Sequence, residues 1–97
     1  MRVDVRIVPV ARTADGKIAE AELHFSEAPL EGMKLVGFGV WEPTPGKGRN
    51  VTFPSRNYTL NNARRTFSLL RPIADVDAGR AVRELVLAAY AAWEATR

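Results

Sequence analysis

The chain has 97 residues and a mass of 10.7 kDa, enough for a single domain spanning 1–97. Hydrophobic residues make up 46% and charged residues 26%, which excludes a disordered tail, because such a composition supplies enough apolar surface to offset chain entropy. Cysteine is absent, so neither disulfides nor thiolate metal sites can brace a small core, and self-association is an open option of the kind small cysteine-free domains often use.

The N-terminus, Met1 to Arg6, alternates charge with apolar residues and has no continuous hydrophobic stretch. No run of about 18 apolar residues follows to span a bilayer. A cytoplasmic protein without a membrane partner is expected. Two Asn-x-Thr triplets, at Asn50 and Asn57, then read as chance matches to a glycosylation signal.

Val3, Val5 and Ile7 alternate with Asp4 and Arg6, the period of a half-buried strand. Pro9 near its end suits an edge position, where a missing N–H is tolerated. Asp15-Gly16 is a hairpin signal, since both residue types take positive φ readily. Lys17 to Phe25 alternates again, with Ala19, Ala21, Leu23 and Phe25 against Glu20, Glu22 and His24.

After a connector from Ser26 to Gly32, Met33 to Trp41 reads as a third strand. Its pattern puts Leu35 and Trp41 on one face, and Val36, Phe38 and Val40 on the other. Gly37 and Gly39 fall on the Leu35 face. Paired glycines there leave room for close approach, and a ring from a helix is the expected visitor. Residues 43–48 form a Pro/Gly loop, and Val51 to Pro54 a short fourth strand. Ser55 to Asn62 is polar and turn-like, and Arg64 to Leu70 reads as a fifth strand.

Pro72 stops that strand, and Asp75 or Asp77 can cap the helix beyond it. From Ala78 to Trp93, Val82, Leu85, Val86, Ala89 and Trp93 recur at helical spacing. Leu87 and Tyr90 fall off that stripe, either exposed or against a partner chain. The expected architecture is α+β: an antiparallel sheet of about five strands with a C-terminal helix packed on it.

The formal net charge of +3 conceals an uneven distribution. Residues 1–43 carry five basic and seven acidic side chains, and residues 73–97 carry three and four. Residues 44–72 hold Lys47, Arg49, Arg56, Arg64, Arg65 and Arg71 with no acid at all. Such a segment attracts phosphates, and a planar guanidinium can fork to a phosphate or stack on a base. Phe53, Tyr58 and Phe67 are interleaved with these arginines. The phenylalanines are expected in the core and Tyr58 on the surface.

Catalytic chemistry finds no foothold. Pro45-Gly46-Lys47-Gly48 lacks the Ser or Thr and the glycine spacing of a phosphate loop. His24 is the only histidine, and with no cysteine it has no partners for a metal or a thiol pair. Glu20 and Glu22 share its face as solubilising charges. Ser55 has no base beside it in sequence to make it a nucleophile. No enzyme, metal or cofactor is expected.

Lys34 to Trp41, then Asn50-Val-Thr-Phe-Pro-Ser-Arg56, resembles the SpoVG family of small bacterial septation and sporulation regulators, which bind nucleic acid. Arg64 to Ile73 matches the family's segment leading into its helix, Arg80 to Trp93 looks like that helix, and the Asp15-Gly16 hairpin also fits. The resemblance implies a domain that dimerises through its sheet and binds DNA or RNA near Pro54-Ser55-Arg56. Arg56 matches the first basic residue after Pro-Ser. Asn57 stands where the family usually has a second one, Arg64 and Arg65 lie near a basic position, and the 43–49 loop is longer than usual. The nucleic-acid-binding residues implied by charge and resemblance together are Lys47, Arg49, Ser55, Arg56, Tyr58, Arg64 and Arg65. The alternative is a protein–protein interaction module in cell-division or developmental control, its basic strip meeting an acidic protein.

Overall fold

A computed structural model describes residues 2–11, 16–46 and 48–97. Six strands and one helix follow in chain order. These are β1 (Val3–Pro9), β2 (Lys17–Phe25), β3 (Lys34–Trp41), β4 (Asn50–Thr52), β5 (Ser55–Leu60), β6 (Ala63–Ser68) and α1 (Asp77–Ala95). Strands β1 to β4 form one antiparallel sheet in sequence order, while β5 and β6 pair only with each other. The α+β architecture stands, but the expected single sheet of five strands is two sheets of four and two strands.

The difference arises at residues 55–62. Ser55 to Leu60 is a strand rather than a polar turn, and the reversal is confined to Asn61-Asn62, with φ of 52° and 63°. Two consecutive positive φ values define the tight turn whose twist matches paired strands, and asparagine tolerates that conformation better than most residues. β1 and β2 pair as expected, from Val3 opposite Phe25 to Pro9 opposite Ala19. Of the Asp15-Gly16 signal, Gly16 has φ 94° and Asp15 lies outside the described residues.

The core is compact and small-residue rich. Ile7, Ala19, Ala21, Leu23, Phe38, Val40 and Val51 project from one face of the four-stranded sheet onto Val86 and Tyr90 of α1. Ala19 and Ala21 sit on the inner strand β2, where their short side chains leave space for the helix. Phe53 adds an edge-to-face ring contact with Phe38 at 5.4 Å between centroids. Tyr90 is therefore buried and Leu87 packs at the rim, whereas Leu85, expected on the stripe, is 42% exposed. The helix lies chiefly over β1 and β4.

A bulge corrects the face assignment of β3. Ala21 opposes Phe38 and Leu23 opposes Leu35, so Val36 and Gly37 together face the single residue Glu22. Gly37 takes φ 110° there, a conformation glycine adopts without strain. Leu35 consequently shares the core face with Phe38 and Val40, and Val36 is left exposed. No helix ring visits the glycines. A Cβ on Gly37 would lie 3.1 Å from Cβ of Pro54, and Gly39 is covered by Trp41 and Thr52 of the sheet itself.

At the start of α1, Asp75 Oδ1 accepts from the Asp77 N–H at 2.9 Å, and Asp77 pairs with Arg80 at 3.2 Å. The acid pair thus occupies the positive end of the helix. Among the described residues, no helix is long and apolar enough to cross a membrane.

Candidate nucleic-acid interface

The buried Pro54 leaves the four-stranded sheet at Gly37, and its carbonyl accepts from the Leu69 N–H at 2.8 Å. Beyond this clasp, β5 and β6 run out as a two-stranded hairpin in which every residue from Ser55 to Phe67 is exposed. Its register sets Ser55 opposite Ser68, Arg56 opposite Phe67, Asn57 opposite Thr66, Tyr58 opposite Arg65, Thr59 opposite Arg64, and Leu60 opposite Ala63.

Opposed residues share a face and faces alternate along the strand. One face therefore carries Arg56, Tyr58, Leu60, Arg65 and Phe67. The other carries Ser55, Asn57, Thr59, Arg64, Thr66 and Ser68. Contacts on each face agree with this division. Tyr58 and Phe67 meet edge to face at 5.7 Å, and Thr66 Oγ1 donates to Asn57 Oδ1 at 2.7 Å.

Of the residues expected to bind nucleic acid, Ser55, Arg56, Tyr58, Arg64 and Arg65 come together on this arm. Arg56 and Arg65 share the ring-bearing face, and Arg64 lies on the polar face. No carboxylate among the described residues pairs with any of the three. The stretch 55–68 itself contains no acid, so their positive charges face solvent uncompensated. Tyr58 is 42% exposed, its ring held against Phe67.

Arg49 is placed elsewhere. Its guanidinium is 2.9 Å from Glu94 Oε1 and 4.9 Å from the Tyr90 ring centre, while its carbonyl accepts from Arg83 at 3.0 Å. It joins β4 to the helix, and its charge is already answered. Lys47 lies outside the described residues. Arg71, not among the expected site residues, is exposed beyond the arm beside Phe53, Leu70 and Pro72.

The outer face of the four-stranded sheet is a different environment. Glu22 Oε1 contacts His24 Nε2 at 2.9 Å and Lys34 Nζ at 3.4 Å, which together hold the Glu22 carboxyl below its ordinary value despite partial desolvation. Glu22, His24 and Lys34 are thus paired with one another, whereas no carboxylate among the described residues pairs with an arginine of the arm. Comparison of the chain with protein-family models, with curated proteins and with solved structures gives no match.

Proposed function

We propose that the chain is a dimeric, non-enzymatic nucleic-acid-binding regulator of the cytoplasm, acting in the manner of the septation and sporulation regulators it resembles. The observation that supports this most directly is the projecting arm, with three arginines on its two faces that no carboxylate among the described residues pairs with, and no acid along its length. A two-stranded ribbon is narrow enough to enter the major groove of duplex DNA, where cations on both faces reach phosphates on both walls. Arg56 and Arg65 serve one wall and Arg64 the other. Ser55 at the arm's base and Tyr58 between the arginines add hydroxyl donors.

The test is a binding titration of labelled duplex DNA and RNA at low salt. The unmodified chain is expected to retain at least one of them. Arg56→Glu with Arg65→Glu is expected to abolish retention while the circular dichroism spectrum is preserved. A chain that leaves both nucleic acids free at low salt overturns the reading and favours an acidic protein as the arm's partner.

A further inference from the structure

The core-facing stripe of α1 begins at a position that fills nothing. Gly79, Val82 and Val86 recur at helical spacing on that face, and Val86 is fully buried. A Cβ on Gly79 would meet no atom within 4 Å. Its φ lies outside the positive range that favours glycine. Glycine also weakens a helix relative to alanine, so neither packing nor backbone conformation calls for it here. What its missing side chain leaves is a cleft of about 300 Å³.

Phe53, Leu70 and Pro72 wall the cleft on one side, and Ala78, Gly79 and Val82 of the helix on the other. Phe53, Leu70 and Val82 also pack against the buried cluster. The cleft is thus a continuation of the core that opens to solvent at the exposed Pro72 and Ala78. It sits at the root of the arm, since Phe53 precedes Pro54 and Leu70 follows Leu69, the two residues joined by the 2.8 Å hydrogen bond. Ile73 and Val76, in the connector to the helix, are exposed and do not occupy it.

The charge at the cleft has one sign. Arg71 is the charged residue among those lining it, and no carboxylate among the described residues pairs with Arg71. The acids nearest in sequence are engaged: Asp75 accepts from the Asp77 N–H, and Asp77 pairs with Arg80. The N–H groups of Ala78 and Gly79 donate to the carbonyls of Asp75 and Val76 at 3.0 and 3.2 Å. A negative head group is therefore left to Arg71, whose guanidinium can fork to a carboxylate.

We propose that this cleft binds a short apolar carboxylate, its hydrocarbon tail taking the place of the side chain that Gly79 lacks and its head meeting Arg71 at the rim. The volume lies at the lower end of ligand pockets, which suits a tail of a few carbons. An alcohol of the same length lacks the charge for Arg71, and an amine carries the opposite one. Seated there, the ligand bridges the root of the arm to the helix. None of the residues assigned to nucleic acid lines the cleft, so the site stands apart from that reading.

The test titrates the isotope-labelled full chain with hexanoate and follows its amide resonances by NMR. Saturable shifts centred on Phe53, Leu70, Gly79 and Val82 are expected, with a Kd of about 1 mM. Butanoate, two methylenes shorter, should bind about tenfold more weakly. Hexan-1-ol should bind about threefold to fivefold more weakly than hexanoate, and hexylammonium more weakly still. Arg71→Gln should bring hexanoate to the affinity of the alcohol and leave the alcohol unchanged. Gly79→Leu should abolish binding of both with the circular dichroism spectrum preserved. Gly79→Ala, the milder filling, should weaken hexanoate severalfold while raising the urea midpoint, which carries the test if the leucine variant fails to fold. Absence of saturable shifts at tens of millimolar overturns the site, as do shifts centred elsewhere or hexanoate binding that survives Gly79→Leu. Equal affinity for hexanoate, hexan-1-ol and hexylammonium overturns the carboxylate as its ligand.

Discussion

Arg49 and Glu94 are separated by 45 residues in the chain, yet guanidinium and carboxylate meet at 2.9 Å and fasten the start of β4 to the last turns of α1. The same guanidinium lies over Tyr90, the buried tyrosine of the helix. Arg49 thus acts as a clasp between sheet and helix.

Replacing it by alanine is expected to destabilise the fold by about 1–2 kcal/mol, the sum of a half-exposed ion pair and a cation–ring contact. Arg49→Lys should recover only part of this, because an ammonium keeps the charge but not the planar stacking. Urea denaturation measures the difference. Nucleic-acid affinity of the folded Arg49→Ala chain should stay within a few-fold of the original, which separates the clasp from the arm.

Gly39 offers a second check on packing. A methyl group there would stand 2.8 Å from Thr52 Oγ1 and 2.9 Å from Trp41 Nε1, the two atoms of a hydrogen bond in which the indole N–H donates at 2.9 Å. Gly39→Ala must part them, at an expected cost of about 1–3 kcal/mol. In a Trp93→Phe background, the emission of Trp41 should shift to longer wavelength as the ring leaves the sheet. An unshifted spectrum with unchanged stability would show that the ring has room to move.

Much of this fold could be read from side-chain alternation, and the exceptions have physical causes. Val3, Val5 and Ile7 identified β1, and the apolar spacing from Val82 to Trp93 identified α1, because each buries one face against a single neighbour. β5 was illegible because neither of its faces is buried within the chain: Ser55, Asn57 and Thr59 alternate with Arg56, Tyr58 and Leu60, a pattern too polar to stand out as a strand. The Asn61-Asn62 turn was the available signal, and it lay inside a stretch rich in turn-forming residues. Missing that strand also hid the division of Arg64 from Arg65, since adjacent residues separate to opposite faces only once the strand is known. The basic segment itself was legible from charge counts, whereas the diversion of Arg49 to Glu94 depends on a long-range contact.

The outer sheet face predicts an acid-sensitive contribution to stability. His24 and then Lys34 hold the folded pKa of Glu22 below its ordinary value of 4.5. A carboxylate with a depressed folded pKa stabilises the fold fully above its unfolded pKa, and that contribution fades as pH falls through the lower folded value. Glu22→Gln is expected to flatten the loss of stability below about pH 4.5. Urea midpoints followed from roughly pH 6 to pH 3 check this. A variant whose acid limb runs parallel to the original would assign the loss to other carboxylates.

Salt dependence tests how many arms bind. Each chain presents Arg56, Arg64 and Arg65 without acidic partners among the described residues, so a dimer engaging both arms contacts about six phosphates. Counterion release then gives a slope of log K against log salt near −5, whereas a single engaged arm gives about −3. Arg64→Ala removes one cation per arm and should reduce the magnitude of the two-arm slope by nearly 2. The position of Arg64 on the face opposite Arg56 and Arg65 matters here. If both faces contact the groove, Arg64→Ala and Arg65→Ala change the slope equally; if only the ring-bearing face contacts it, Arg64→Ala leaves the slope unchanged. Titrations of one duplex at several salt concentrations distinguish the two, and equal slopes are the outcome expected of a ribbon held inside a groove.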